Sequence, residues 1–168
     1  PTTDLEVTTN VLSLATSYTD LAGNAGPSAT TANYAVDTLV PTVSSFTMSD
    51  TELKSGDTST VTLVFSEAVT AFSSTEDITV ENGSLSLMTS SDNVTWTGTY
   101  TPTTDVEDTT NVLSLATSYT DLAGNAGPSA TTANYAVDTL VPTVSSFTMS
   151  DTELKSGDTS TVTLVFSE

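Results

Sequence analysis

Residues 94–101 read Val-Thr-Trp-Thr-Gly-Thr-Tyr-Thr, so that every second position is a threonine. Apolar or small residues alternate with these threonines, and a period of two is typical of a half-buried β-strand. The same alternation occurs in residues 60–65, where three apolar side chains share one face. These two segments predict a β-sheet protein that has Trp96 and Tyr100 in its core.

Five further runs of apolar or β-branched residues are separated by turn signals at residues 54–57, 82–83 and 121–128. The runs span residues 43–48, 77–80, 84–88, 112–119 and 133–137. No segment has a helical period. Seven short strands in about 100 residues predict an all-β fold, a seven-stranded antiparallel immunoglobulin-like β-sandwich. The predicted core includes Val61, Leu63, Phe65, Ile78, Val94, Trp96 and Tyr100.

The sequence repeats itself with a period of 101 residues. Residues 1–67 and 102–168 align without a gap and differ only at Leu5/Val106 and Val7/Asp108. This period is the size of one small domain and is too long for a solenoid unit. The chain is therefore predicted to contain the C-terminal part of one repeat (1–37), a complete repeat (38–138) and the N-terminal part of a third (139–168). Such an array suits spacers and multivalent binding proteins better than enzymes.

The chain is strongly acidic, with 21 Asp and Glu residues, two Lys residues, no Arg and a formal net charge of −19. Such a surface repels nucleic acid phosphates and anionic lipid headgroups, so neither is a predicted partner. Acidic chains can be disordered, but 36% hydrophobic residues in regular alternation favour a folded chain. No run approaches the roughly 20 apolar residues of a membrane span, so direct membrane insertion is not expected.

Cysteine and histidine are absent, which removes the thiolate and imidazole ligands and the usual general base. An enzyme is therefore not expected.

Three segments of the repeat carry a resemblance to a known family. They are VDTLVPTV at residues 36–43, FSE at residues 65–67 and YTDLAGNAG at residues 119–127. In this combination they resemble the bacterial Ig-like repeats of giant surface adhesins, which are calcium-binding extender domains of RTX-type and biofilm adhesins. The resemblance covers residues 37–138 and implies an extracellular location on a bacterial cell surface. It also implies bound Ca²⁺ and head-to-tail contacts with neighbouring repeats, whereas the ligand of the adhesive tip lies outside this chain.

Immunoglobulin topology predicts where the acidic loop residues meet. If the seven strands are lettered A to G, the B–C and F–G loops lie at the pole where strand A begins, and the E–F loop, predicted at residues 105–108, lies at the opposite pole. In a head-to-tail array, the E–F loop of one repeat therefore faces the B–C and F–G loops of the next. The first junction is predicted to gather Asp4, Glu6, Asp37, Glu67, Asp121 and Asn125. The second is predicted to gather Asp105, Glu107, Asp108, Asp138 and Glu168.

A set of oxygen ligands without nitrogen or sulfur indicates a hard cation. Ca²⁺ accepts about six to eight oxygens in flexible geometry, whereas Mg²⁺ requires a stricter octahedron, so Ca²⁺ is favoured and Mg²⁺ is the alternative. Because Val7 stands where the other copy has Asp108, we expect weaker binding at the first junction. Each acid could instead be a solvated loop residue, which is the preferred interpretation for Glu52, Glu76 and Asp92.

Two classes of function fit such an array. The domains are either structural spacers, stiffened by Ca²⁺ into a rod that projects adhesive domains from a cell, or repeated modules that bind a glycan or protein by avidity. Acids at the poles favour the spacer, whereas an exposed Trp or Tyr patch on one sheet face would favour the binding module. Since we interpret Trp96 and Tyr100 as core residues, the spacer is the primary prediction.

The terminal segments present a packing problem. Residues 1–37 supply about two strands, residues 139–168 supply two more, and an isolated pair of strands cannot bury a core. We therefore expect either that the polypeptide continues in both directions or that neighbouring molecules complete these segments through strand exchange.

Overall fold

A computed structural model describes residues 1–168, and nearly all of its regular structure is β-strand. The first segment contains β1 (Glu6–Asn10), β2 (Ser13–Leu14), β3 (Ala29–Thr30) and β4 (Tyr34–Asp37). The central repeat begins with β5 (Val43–Met48), β6 (Glu52–Lys54), β7 (Ser59–Phe65), β8 (Val69–Thr70), the one-turn helix α1 (Ser74–Asp77), β9 (Ile78–Val80) and β10 (Gly83–Leu85). It continues with β11 (Thr95–Pro102), β12 (Glu107–Asn111), β13 (Leu113–Leu115), β14 (Thr120–Asp121), β15 (Ala130–Thr131) and β16 (Tyr135–Asp138). The last segment contains β17 (Val144–Met149) and β18 (Val162–Phe166).

The largest sheet of the central repeat has four antiparallel strands in the order β10-β11-β7-β5. Its two central strands are the two alternating segments of the sequence, and Trp96 pairs with Leu63 across them. Along β7 the side chains of Val61, Leu63 and Phe65 are buried, whereas the alternate residues Thr60, Thr62 and Val64 are exposed or half-buried. The period of two therefore determines which side of the sheet faces the core.

Two smaller sheets, β12-β16-β6 and β15-β13-β9, complete the sandwich. Their buried residues, which include Leu113 and Leu115 on β13 and Tyr135 on β16, share one core cluster with those of the four-stranded sheet. The rings of Tyr100 on β11 and Tyr135 on β16 meet edge to face with centroids 5.2 Å apart. The Phe65 and Tyr119 rings are 4.8 Å apart. These contacts confirm the predicted immunoglobulin-like β-sandwich, although the predicted strands divide into shorter segments.

The core of the central repeat contains most of the residues predicted for it. Val61, Leu63, Phe65, Ile78 and Tyr100 are buried. Val94 and Trp96 are only half-buried, because they lie towards the edge of the core, where the Trp96 ring packs against Phe72 at 4.9 Å. The Trp96 Nε1 atom is buried there without a hydrogen-bond partner.

One strand departs from the expected antiparallel pattern. β6 pairs in parallel with β16, and Leu53 lies opposite Val137. After β5 the chain crosses from one sheet to the other, and the Ser59 hydroxyl fixes this crossing. That hydroxyl accepts a hydrogen bond from the Asp50 backbone nitrogen at 2.9 Å and donates one to the Asp50 carbonyl at 2.8 Å.

The segment expected to be the E–F loop is partly a strand. Glu107–Asn111 forms β12, in which Glu107 lies opposite Asp138, so the predicted loop at residues 105–108 is wrong for its second half. The run Glu-Asp-Thr-Thr-Asn has no apolar alternation, which is why the sequence did not indicate a strand. The helix α1 was also not expected.

The two flanking segments keep their strand pairs but bury almost nothing. β1 pairs with β4, β2 pairs with β3, and β17 pairs with β18. All 23 buried residues of the chain lie between Pro41 and Thr139. The counterpart of β6, at residues 153–155, is not a strand, because no counterpart of β16 lies beside it.

Candidate metal centre at the junction between repeats

Three carboxylates from two consecutive repeats converge at the first junction. One side-chain oxygen from each of Asp37, Glu67 and Asp121 lies within 4.8 Å of the others. Asp37 ends the first segment, whereas Glu67 and Asp121 belong to the central repeat. The sequence analysis predicted this convergence from the topology of the loops.

A short pair of strands holds the two acidic loops of the central repeat together. β8 begins two residues after Glu67, and its Val69 pairs with Asp121 of β14. Val69 is buried, and its backbone nitrogen donates a hydrogen bond to the Asn93 carbonyl at 3.0 Å. The core therefore anchors the base of both loops, and the carboxylates project from a fixed frame.

Asp121 is buried and accepts hydrogen bonds at both carboxylate oxygens. Oδ1 accepts from the backbone nitrogens of Ala123 (2.8 Å), Gly124 (2.7 Å) and Asn125 (2.8 Å), and Oδ2 accepts from the Asn125 side-chain amide at 2.7 Å. Burial alone would raise the pKa of Asp121, but these hydrogen bonds together lower it below its ordinary value. The carboxylate is therefore held in its charged form.

Glu67 is half-buried in the same cluster, and its pKa shifts in the opposite direction to that of Asp121. Burial raises its pKa above the ordinary value, and the negative charges of Asp121, Asp37 and Glu6 raise it further. Repulsion among these carboxylates therefore makes the ionised cluster costly. A cation at this position would relieve that cost.

Asn125 connects the cluster to the linker between the repeats. Its side-chain nitrogen donates to the backbone oxygens of Leu39 at 3.2 Å and Asp37 at 3.4 Å, and also to Asp121. In this arrangement the amide nitrogen of Asn125 faces the Asp121 carboxylate, and its predicted role as an oxygen ligand stays a prediction. The sequence analysis did not predict this contact with the linker.

The other two predicted members of the first junction lie at its margin. Glu6 is the antiparallel partner of Asp37 and is close enough to act on the Glu67 charge, but it is not part of the converging group. Asp4 is exposed and has a φ angle of 55°, as does its counterpart Asp105 with 59°. These two aspartates occupy turn positions, and the structure does not bring either of them into a group of carboxylates.

The residues predicted for the second junction do not converge. Glu107 and Asp138 are strand partners, whereas Glu168 is exposed after β18 and joins no group of carboxylates. The carboxylate of Asp108 points elsewhere, and Asn82 donates a hydrogen bond to its Oδ2 at 2.9 Å. Within residues 1–168 these residues do not form one converging group. The gathered second site stays a prediction.

The donor set of the first junction fits a hard divalent cation. It consists of carboxylate oxygens only, carries up to three negative charges and includes no nitrogen or sulfur ligand. Ca²⁺ tolerates such irregular oxygen sets better than Mg²⁺ does. Asp37, Glu67 and Asp121 are the residues that would hold the ion.

Comparison with known protein families adds an independent observation. Residues 37–137 match the family described as bacterial Ig-like domain. The chain belongs to this family. The matched residues include all three converging carboxylates of the junction. Searches of curated proteins and of solved structures gave no match.

Membership of the bacterial Ig-like family has two direct consequences. The family is a non-catalytic fold class, and its members are typically found in extracellular surface proteins. In this bacterial Ig-like chain, no helix is both long and apolar enough to cross a membrane.

Proposed function

We propose that this chain is a structural extender segment of a bacterial cell-surface adhesin, in which Ca²⁺ stiffens the tandem array into a rod. The observation that carries the proposal is the convergence of Asp37 with Glu67 and Asp121. Because Asp37 comes from one repeat and the other two residues come from the next, a cation bound there is shared by both repeats.

Bound metal changes the energetics of the junction. Without metal, the clustered carboxylates repel one another, and the short linker after Asp37 allows the repeats to swing. With Ca²⁺ the same charges become ligands and fix the angle between the repeats. Extracellular Ca²⁺ modules have dissociation constants of about 10⁻⁴–10⁻³ M. At roughly 100 times that constant, one site adds about 2.7 kcal/mol to the stability of the bound state.

The surface of the central repeat supports a spacer over a repeated binding module. Its exposed large apolar residues are aliphatic, namely Leu39, Val40, Leu87 and Leu122. Every aromatic residue of the central repeat is buried or half-buried, including Trp96 and Tyr100. The aromatic patch that would favour glycan binding by avidity is therefore missing from this repeat.

The test is small-angle X-ray scattering of the 168-residue chain, together with its thermal unfolding, in Ca²⁺ and in a chelator. We expect a larger maximum dimension and a higher Tm in Ca²⁺. Asp37→Ala should abolish both differences. The control is Glu76→Ala, because Glu76 is exposed and lies outside the junction, and it should preserve both differences. If Ca²⁺ changes neither length nor Tm, the calcium-stiffened rod is rejected.

A further inference from the structure

The central repeat contains two asparagines that are followed, two positions later, by Ser or Thr. The triplets are Asn82-Gly83-Ser84 and Asn93-Val94-Thr95. Such a triplet, called a sequon, is the acceptor sequence for N-linked glycosylation, which requires an accessible side-chain amide in a surface loop. The triplet alone does not distinguish an acceptor from a chance match. The structure does, because the two asparagines have different surroundings.

The side-chain amide of Asn82 is committed to the fold. Asn82 is half-buried, and its amide nitrogen donates to Asp108 Oδ2 at 2.9 Å and to Asn111 Oδ1 at 2.6 Å. An N-linked sugar replaces one of the two amide hydrogens, so one of these hydrogen bonds would be lost. The next residue is Gly83, where an added Cβ atom would collide with the Tyr100 ring. The first sequon therefore has neither a free amide nor room for a sugar.

The side chain of Asn93 is free, whereas its backbone is fixed. The residue is exposed in the turn before β11, and its side-chain amide has no hydrogen-bond partner in the chain. Its backbone nitrogen donates to the Ser90 hydroxyl at 2.8 Å, and its carbonyl accepts from the Val69 nitrogen at 3.0 Å. The turn therefore presents an unengaged amide to solvent from a defined position.

The third residue of this sequon is equally accessible. Thr95 is exposed at the start of β11, and its hydroxyl has no partner in the chain. Its backbone nitrogen donates to Asp92 Oδ1 at 2.8 Å, and the Val94 nitrogen donates to the same oxygen at 2.9 Å. Both groups that define a sequon, the amide and the hydroxyl, are thus open to a transferase in the folded chain.

We propose that Asn93 is an N-glycosylation site and that Asn82 is not. The amide nitrogen of Asn93 forms a bond to the anomeric carbon of a sugar, and the bond from that carbon to a phosphate oxygen of the donor breaks. The phosphate leaves with the electron pair, and the amide gives up one proton to a base of the transferase. The donor is a phosphate-activated sugar, either a nucleotide-linked sugar or a lipid-linked oligosaccharide.

The surface beside Asn93 suits an attached sugar. An open groove follows the turn and the first part of β11, and it has no apolar lining residue. The groove is lined by Thr89, Ser90, Ser91, Asp92, Thr95 and Thr97. These side chains offer hydroxyl groups and one carboxylate as hydrogen-bond partners for the hydroxyl groups of the first sugar.

The sequon lies at the same pole as the acidic cluster but contributes nothing to it. The Val69 nitrogen donates to the Asn93 carbonyl, and Val69 is also the strand partner of Asp121. A sugar on Asn93 would therefore stand one strand away from the junction between repeats. Because no side-chain atom of Asn93 belongs to the cluster, the proposal does not depend on bound Ca²⁺.

The test is mass spectrometry of the protein isolated from the bacterium that produces it. Cleavage before aspartates separates the two sequons, because residues 77–91 and 92–104 then form different peptides. We expect a sugar on the peptide that contains Asn93 and none on the peptide that contains Asn82. A single sugar would indicate a nucleotide-linked donor, and a longer chain would indicate a lipid-linked oligosaccharide. An unmodified Asn93 would overturn the proposal, and a sugar on Asn82 would contradict selection by the fold.

Variants at position 95, made in the same bacterium, provide a matched pair. Thr95→Val keeps the shape of the side chain but removes the hydroxyl, so it should abolish the modification of Asn93. Thr95→Ser keeps the hydroxyl and should retain the modification. Position 95 is exposed, so both variants should fold, and both should keep the wild-type difference in Tm between Ca²⁺ and chelator. A sugar that persists on Asn93 in Thr95→Val would show that its attachment does not use the sequon.

Discussion

Asn125 donates a hydrogen bond from its side-chain amide to the backbone oxygen of Leu39, 3.2 Å away. This bond joins the F–G loop of the central repeat to the linker that arrives from the preceding repeat. The same amide nitrogen also donates to the Asp121 carboxylate. The Asn125 side chain therefore links the charged Asp121 carboxylate of the acidic cluster to the backbone of the linker at Leu39.

We expect Glu67→Gln to stabilise the chain at pH 7 in chelator by about 0.2–1 kcal/mol, the range of single surface charge interactions. Burial and the neighbouring Asp121 and Asp37 charges raise the pKa of Glu67, so its ionised form is disfavoured in the folded state. Between its ordinary value of 4.5 and the raised pKa, the folded state binds more protons than the unfolded state. The stability of the wild type should therefore fall as pH rises through this window. The variant should not show this pH-dependent loss, because a glutamine side chain does not ionise.

Urea unfolding across pH measures the difference in stability between the variant and the wild type. In Ca²⁺ we expect this difference to change sign, so that the wild type is the more stable protein. The glutamine variant has one charged ligand fewer and should gain less stability from Ca²⁺ than the wild type does. Equal stability of the two proteins in chelator at every pH would contradict the repulsion argument.

We expect Asp121→Asn to destabilise the central repeat by about 1.5–3 kcal/mol, the value of hydrogen bonds to a charged group. The substitution weakens the three backbone hydrogen bonds and places one amide nitrogen against that of Asn125. Because the folded-state pKa of Asp121 is lowered, its contribution is present above 3.8 and is lost as pH falls through the folded-state pKa. Chemical denaturation at pH 7 and at pH 3 should show the difference.

The repeat supplies a matched control for this substitution. Asp20 accepts counterparts of three of these four bonds, from the backbone nitrogens of Ala22 and Asn24 and from the Asn24 amide, but it lies in the exposed flank. Asp20→Asn should leave the main unfolding transition in place. A comparable loss in both variants would point to a general charge effect rather than the buried loop.

We expect Asp108→Val, which copies the residue at position 7, to cost about 1 kcal/mol and to leave the Ca²⁺ response unchanged. The Asn82 amide nitrogen donates to Asp108 at 2.9 Å and to the Asn111 Oδ1 atom at 2.6 Å, so the substitution removes one of two partners. Thermal unfolding in Ca²⁺ and in chelator measures both effects. Loss of the Ca²⁺-induced shift in Tm would instead support the predicted role of Asp108 as a ligand.

We expect Tyr119→Phe to cost about 0.5–1.5 kcal/mol, because its buried hydroxyl donates a hydrogen bond to the Pro128 carbonyl at 2.7 Å. The Tyr18 hydroxyl makes the same bond to Pro27 at 2.8 Å in the exposed flank. Tyr18→Phe should therefore leave the central unfolding transition unchanged. Urea denaturation of both variants measures their free energies of unfolding. Destabilisation by Tyr119→Phe alone would show that the hydrogen bond of the buried hydroxyl stabilises the central repeat, whereas equal destabilisation by both would indicate an effect of the loop alone.

The sequence was sufficient to predict the sandwich and the meeting of Asp37, Glu67 and Asp121. The alternation of apolar and polar residues in 60–65 and 94–101 indicated which side chains are buried. The order of the strands indicated at which pole of the sandwich each loop lies. β12 was not predictable in this way, because none of its five residues is apolar and its pairing with β16 is irregular between Asp108 and Asn111. The separation of Asp108 from the junction also depends on Asn82, a partner 26 residues away, which no local pattern indicates.

The parallel alignment of β6 with β16 has a consequence for a chain under tension. β6 lies near the start of the central repeat and β16 at its end, so a pull on both ends draws the two strands past each other along their length. Ala136, Val137 and Asp138 are in register with Glu52, Leu53 and Lys54. The force then acts across their backbone hydrogen bonds in shear, so that all of these bonds bear it at the same time. In an unzipping geometry the bonds would instead break one after another from one end. This short ladder therefore acts as a shear clamp, and its rupture force determines when a pulled repeat begins to unravel.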